Sequence, residues 1–108
     1  MSVRVISTPL RVTAYLSGEI DHHSAAAIRE EIDMAVQKQC PQILRLDFGE
    51  VTFMDSSGVG LVMGRYRCVE PLGGKLEVTN LSEQIYKIMK LSGIETLAKI
   101  SKKENVKK

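Results

Sequence analysis

A change in hydrophobic spacing at residues 53–60 constrains the fold of this chain more than any other feature of its sequence. Before it, Ile43–Phe48 is apolar enough for a central strand, and after it apolar residues recur at the spacing of one helix face. Phe53–Gly60 is therefore predicted to join a strand to a helix, with Ser56 and Ser57 at the N-terminus of that helix. The unpaired N–H groups and macrodipole of a helix start stabilise an anion by about 0.3–1 kcal/mol, so a phosphate on Ser57 is compatible with a folded domain.

The chain before this junction predicts a hairpin and then a helix. Val3–Ile6 and Leu10–Gly18 alternate apolar and polar residues, and Thr8–Pro9 between them favours a turn. Asp21 is placed to cap a helix that runs to about residue 39, where Pro41 ends it. The strand, helix and following strand form a right-handed βαβ unit if the two strands are parallel.

The chain after the junction supplies the remaining elements of an α/β domain. They are a helix from about Ser57 to Val69, a strand at Lys75–Thr79, a helix capped by Asn80 or Ser82, and a short edge strand at Leu97–Ile100. Arg65 and Arg67 are expected on the solvated surface of the first of these helices, and Leu91 on the apolar face of the second, which Gly93 ends. Alternating strands and helices predict one mixed sheet of four to five strands with helices packed on it. We expect this domain to cover residues 1–100 and residues 101–108 to form a basic, frayed tail.

Several features near the junction favour a surface for contact with another protein. Gly58, Gly60 and Gly64 each cost about 1 kcal/mol relative to Ala inside a helix, which is understandable if another backbone or a partner must come close. Glu19 and Asp21 lie at the end of the preceding strand, so parallel neighbouring strands would bring them to the same sheet edge as the junction. The alternative is that the two serines merely cap the helix.

Composition limits the possible partners. Residues 101–108 contain four Lys and one Glu, a charge of +3, so with a formal net charge of +2 the other hundred residues carry −1, and no basic face for nucleic acid is indicated. Cys40 and Cys68 form no metal-binding motif and are expected to be reduced thiols. No signal peptide and no apolar run of about 18 residues is present, which predicts a cytoplasmic protein without a membrane span.

Two enzymatic alternatives have weaker support in the sequence. Ser57 with His22 or His23 and Asp21 or Asp55 supplies the residue types of a hydrolytic triad, but the local string is not G-x-S-x-G. The glycines after Ser57 suggest a dinucleotide loop, but the third comes one position late and no Walker lysine follows. We therefore expect no catalytic residues, no metal site and no bound cofactor.

Three strings together resemble one known family. Phe53–Tyr66, with Gly18–His23 upstream and Leu91–Ile94 downstream, resembles the anti-sigma-F factor antagonists, the stage II sporulation protein AA group of the STAS domain family. Asp55–Gly58 is similar to strings of general-stress antagonists as well, whereas His22 and His23 after Glu19-Ile20-Asp21 are typical of the sporulation branch.

The resemblance implies a single STAS-type domain that acts as a non-enzymatic switch. The unphosphorylated form would bind an anti-sigma factor that is also a serine kinase, and so release the sporulation sigma factor. The kinase would use its own ATP and magnesium to phosphorylate Ser57, and a membrane phosphatase would reset the switch. The expected partner-binding residues are Glu19, Asp21, His22, His23, Asp55, Ser56, Gly58 and Gly60.

Overall fold

The computed structural model describes residues 2–104 as a five-stranded sheet with three helices. The strands are β1 (Ser2–Ser7), β2 (Arg11–Ile20), β3 (Ile43–Met54), β4 (Lys75–Leu81) and β5 (Lys99–Lys102). The helices are α1 (His22–Gln39), α2 (Ser56–Val69) and α3 (Glu83–Leu91), with short 3₁₀ turns at Glu70–Leu72 and Ile94–Thr96. The predicted α/β fold with a mixed sheet is confirmed.

The strands lie side by side in the order of the sequence. β1 and β2 form the predicted antiparallel hairpin, and β2, β3, β4 and β5 are parallel to one another. Each parallel connection contains one helix and moves in the same direction across the sheet. Because such crossovers are almost always right-handed, all three helices pack on the same face.

Burial along the strands agrees with this one-sided arrangement. Alternate residues of the central strands are buried beneath the helices, and most of the residues between them are half-buried on the other face. The buried set combines Val12, Ala14, Leu16, Leu44, Leu46, Phe48, Leu76 and Val78 of the strands with Ile28, Ile32, Val36, Leu61, Val62, Val69, Ile85 and Met89 of the helices. One core therefore holds the sheet and all three helices together.

Local signals in the sequence predicted most of the element ends. Asp21 caps α1, Ser82 rather than Asn80 caps α3, and Gly93 follows the end of α3 with a positive φ of 82°. Asn80 instead adopts a positive φ of 59°, and its side-chain amide donates to Asp47 at 2.9 Å.

Three expectations about individual elements are wrong. β3 does not end near Phe48 but continues unbroken to Met54, because its later residues pair with the end of β2. Leu91, expected on the apolar face of α3, is 89% exposed at the end of the helix. Arg65, expected on the solvated surface, is only 4% exposed, whereas Arg67 is exposed as predicted.

The last strand differs from the prediction by two residues. It was expected at Leu97–Ile100 but lies at Lys99–Lys102, because a 3₁₀ turn at Ile94–Thr96, capped by Leu97, comes before it. Ser101 and Lys102 of the predicted tail therefore belong to the sheet, and the N–H of Lys103 still donates to Leu81. Residues 105–108 of that tail lie outside the described residues.

Candidate functional site

The ends of β2 and β3 are held together at one edge of the sheet. Ile20 is paired with Met54, and the N–H of Asp55 donates to the carbonyl oxygen of Ile20 at 3.1 Å. The chain turns into α1 after the first strand and into α2 after the second. The two segments singled out in the sequence, Glu19–His23 and Asp55–Gly58, therefore meet as predicted.

Asp55 caps α2 and leaves the two serines out of that role. Its carboxylate accepts a hydrogen bond of 2.8 Å from the N–H of Ser57, and its backbone is extended at φ −98°. Ser56 is the first residue of α2 and Ser57 the second. The hydroxyl of Ser57 is half-buried and forms no hydrogen bond with the rest of residues 2–104. The alternative that the serines merely cap the helix is therefore wrong.

Asp21 is the N-cap of α1. Its carboxylate accepts from the N–H of Ser24 at 2.8 Å, and the hydroxyl of Ser24 accepts from the N–H of Asp21 at 3.0 Å. The backbone hydrogen bond from Ser24 is the main cause that lowers the pKa of Asp21. Glu19, His22 and His23 are exposed beside this cap.

The glycines of α2 have two different environments. Gly58 is buried, and a Cβ atom there would collide with the side chain of Met54. Internal packing, rather than the approach of a partner, therefore explains this glycine. Gly60 and Gly64 have nothing within 4 Å of the position of a Cβ, so they leave open space on the surface of α2.

That open space belongs to a groove between α1 and α2, which we call the α1–α2 groove. It has a volume of about 540 Å³, and Ser57 lies at its end. Its lining consists of His22, Ala25, Ala26 and Arg29 of α1 and Ser57, Gly60, Leu61, Gly64 and Arg65 of α2.

Arg65 is the site residue that the sequence interpretation missed. Its Nε lies 3.1 Å from Oδ1 of Asp33 on α1, within ion-pair distance although not aligned as a hydrogen bond. A signal was present in the sequence, because Leu61, Arg65 and Val69 are four residues apart and so share the buried face of α2.

The geometry does not assemble the enzymatic alternatives. Within residues 2–104, no hydrogen bond joins the imidazole of His22 or His23 to Ser57 or to a carboxylate, and both capping aspartates are bound to backbone N–H groups. In the same part of the chain, no group of three or more His, Cys, Asp or Glu side chains is arranged to hold a metal ion.

The fold and the junction define the class of protein. The STAS domain family model matches residues 3–106, a range that includes the whole sheet and all three helices. The chain belongs to the STAS domain family.

The relatives define the group within that family. An anti-sigma F factor antagonist from Paenibacillus polymyxa is 38% identical over 80 residues, which are 73% of this chain and 68% of that protein. An anti-sigma-B factor antagonist from Bacillus subtilis (strain 168) is 33% identical over 88 residues, which are 82% of this chain and 79% of the relative.

Two solved structures give the same result. The anti-sigma factor antagonist SpoIIAA in its unphosphorylated form has a TM-score of 0.79 and 33% identity, with 92% of this chain and 87% of that chain covered. The phosphorylated form of the Bacillus cell fate determinant SpoIIAA has a TM-score of 0.73 and 33% identity, with 92% and 90% covered.

These comparisons confirm the predicted family and the regulatory, non-enzymatic class. The chain is similar to anti-sigma factor antagonists over most of its length, and one of them is known in both phosphorylation states. Among residues 2–104, no helix is both long enough and apolar enough to cross a membrane.

Proposed function

We propose that this protein is an anti-sigma factor antagonist controlled by phosphorylation of Ser57. The unphosphorylated form binds an anti-sigma factor that is also a serine kinase and so releases the sporulation sigma factor. Phosphorylation of Ser57 ends that interaction. The observation that carries the proposal is the free hydroxyl of Ser57 at the start of α2, beside a cap that Asp55 alone supplies.

The position of Ser57 explains how the fold tolerates a phosphate. The phosphate adds a charge of about −1.5 to −2. Ser57 is in the first turn of α2, where the positive end of the helix macrodipole lies. The new charge therefore acts mainly on the partner interface, through repulsion, steric exclusion and the cost of desolvating a dianion.

The proposed partner surface surrounds this serine. Glu19, His22, His23, Ser56 and Gly60 are exposed and available for contact. Asp21 and Asp55 are half-buried caps that shape the two loops, and Gly58 contributes by allowing α2 to pack on Met54.

The remaining components belong to the partners in this proposal. The kinase supplies ATP and magnesium, a serine phosphatase removes the phosphate, and this chain binds no cofactor. Because the relatives are named for antagonising regulators of sigma factors, which act in transcription, we propose a cytoplasmic location.

A second candidate is the general-stress version of the same switch. The Bacillus subtilis anti-sigma-B factor antagonist is 33% identical to this chain. In that case Ser57 would be phosphorylated by a different anti-sigma kinase. His22 and His23 after Glu19-Ile20-Asp21 favour the sporulation partner.

One experiment tests both candidates. The protein is incubated with ATP and either a sporulation or a general-stress anti-sigma kinase, and complex formation and intact mass are measured. We expect a complex with the sporulation kinase and a single phosphoryl increment that Ser57→Ala abolishes and Ser56→Ala retains. The proposal fails if neither kinase forms a complex or adds a phosphoryl group.

A further inference from the structure

The α1–α2 groove carries positive charge beside the hydroxyl of Ser57. Arg29 and Arg65 both line it, and His22 stands at the same end as Ser57. No carboxylate is among the lining residues. Asp33 pairs with Arg65 next to the groove, and Arg29 forms no ion pair with the rest of residues 2–104. The groove therefore holds one cation that is free for an incoming anion.

Arg65 is the second arginine that lines the groove, and it is buried. Its side chain is 95% buried, since only 5% is exposed, and its Nη1 has no hydrogen-bond partner within the described part of the chain. A guanidinium has five N–H donors, and leaving a buried donor unpaired is unfavourable. Because Nη1 is buried and Asp33 pairs with this guanidinium, Arg65 forms part of the wall of the groove, and Arg29 is its accessible arginine.

The direction of the helices brings Arg29 toward Ser57. The N-terminal ends of α1 and α2 lie together, because the ends of β2 and β3 are joined by the hydrogen bond from Asp55 to Ile20. Long helical side chains lean toward the N-terminus of their own helix. Arg29 lies two turns into α1 and lines the same groove as Ser57, so this general direction favours an approach of its guanidinium to the end where Ser57 lies.

We propose that the α1–α2 groove is an intramolecular binding site for the phosphate of Ser57, and that Arg29 forms an ion pair with this phosphate. Arginine suits this role, because its planar guanidinium matches two phosphate oxygens at once. Gly60, which also lines the groove, has open space where a Cβ would lie.

Binding of the phosphate in the groove would change the partner surface in a second way, beyond repulsion and steric exclusion by the phosphate itself. A phosphate paired with Arg29 fills the open end of the groove and cancels its free positive charge. This inference deepens the proposed function and rests on Ser57 being the phosphorylated residue.

The test measures the protonation of the phosphate itself. Phosphoserine is placed at position 57 during translation with an expanded genetic code, so that no kinase is needed. The second pKa of the phosphate, about 6 in the absence of a partner, is then followed by ³¹P NMR. A nearby cation lowers this pKa, whereas the carboxylates of Glu19, Asp21 and Asp55 at the same sheet edge oppose that effect equally in every variant.

We expect Arg29→Ala to raise the second pKa of the phosphate by about 0.5 unit or more relative to the phosphorylated parent. Arg29→Lys should give a phosphate pKa between those of the parent and Arg29→Ala, because lysine keeps the positive charge and loses the bidentate contact. The matched control is Arg67→Ala, since Arg67 is an exposed arginine of α2 that does not line the groove. That control should titrate as the parent does.

Two results would overturn the inference. One is an equal phosphate pKa in Arg29→Ala and the parent, and the other is an equal rise in Arg67→Ala. Failure of the proposed function gives a different pattern, because a protein that no anti-sigma kinase phosphorylates can still show the Arg29-dependent titration. Arg29 is exposed, so the unphosphorylated Arg29→Ala protein should melt at the temperature of the parent.

Discussion

The carboxylate of Asp55 accepts a hydrogen bond from the backbone N–H of Ser57, with 2.8 Å between Oδ1 and N. This contact starts α2 and fixes the backbone of the serine, while the hydroxyl of Ser57 stays free. The same aspartate is tied through its own N–H to Ile20 at the end of β2. The site is therefore positioned by the sheet as well as by its own helix.

Loss of this cap should lower the stability of the domain. We expect Asp55→Ala to reduce the free energy of unfolding by about 1 kcal/mol, because the N–H of Ser57 loses its acceptor. Urea denaturation measures the change. Asp55→Asn is the matched variant, since Asn caps equally well, and it should stay within a few tenths of a kcal/mol of the parent. Equal losses in both variants would contradict a capping role.

The ion pair between Asp33 and Arg65 should be the most sensitive polar contact in the domain. Asp33→Ala leaves the 4% exposed Arg65 without its counter-charge, and we expect a loss of about 2–3 kcal/mol, moderated by the partial exposure of Asp33. The control is Lys102→Ala, which breaks an ion pair with Glu83 whose side chains are 47% and 73% exposed. It should cost about 0.5 kcal/mol or less. Thermal denaturation measures both variants. Similar losses of stability in the two would show that the buried ion pair contributes no more than the exposed one.

The two glycine environments of α2 predict opposite effects of alanine. Gly58→Ala forces its new methyl group against Met54 and should destabilise the protein by about 1–3 kcal/mol. Gly60→Ala meets open space and gains helix propensity, so it should be neutral or stabilising by up to about 1 kcal/mol. Chemical denaturation of both variants measures this, and a destabilised Gly60→Ala protein would contradict the open groove.

Asp21 should contribute to the acid sensitivity of the fold. Its pKa is lowered from the ordinary value of 3.8 by the hydrogen bond from the N–H of Ser24, so the unfolded chain binds this proton more readily than the native protein does. The contribution is therefore complete only well above the ordinary value of 3.8, and it is lost as the pH falls through the lowered pKa. Asp21→Asn keeps a good cap without a titrating group, and its stability should fall less between pH 4 and pH 2. Parallel acid denaturation curves of the two proteins would rule out this contribution.

A negative charge at position 57 should weaken binding to the partner and leave the stability of the domain nearly unchanged. We expect Ser57→Asp to weaken binding to the anti-sigma kinase while the melting temperature changes by only a few degrees, because the first turn of α2 accepts an acidic residue. Calorimetric titration with the kinase and thermal denaturation measure the two quantities, and Ser56→Asp at the exposed neighbouring serine serves as the comparison. Binding as tight as that of the unmodified protein would contradict repulsion by charge.

The elements near this site were predicted where their signals are local. Asp21 before an amphipathic stretch predicted the start of α1, and the change from apolar strand to helical spacing predicted a junction at Ser56 and Ser57. The capping residue at that junction was not decided in advance. Asp, Ser and Ser are all good caps, and only the hydrogen bond of Asp55 distinguishes them.

Contacts between distant parts of the chain were not predictable in the same way. The spacing of Arg65 from Leu61 and Val69 indicates the buried face of α2, but the sequence does not show that Asp33, on another helix, lies 3.1 Å away and can pair with it. Gly58 was assigned to a partner, because the position of Met54 beneath it depends on how α2 leaves the sheet.

The sequence by itself determined the order of the elements, the capped helix starts and the family resemblance, because each depends on residues a few positions apart. The tertiary structure decided which edge the two loops share, that Arg65 is buried, and that Ser57 opens into a groove with Arg29. These features depend on the packing of α1 against α2, which the shared core sets and which no local stretch of sequence encodes.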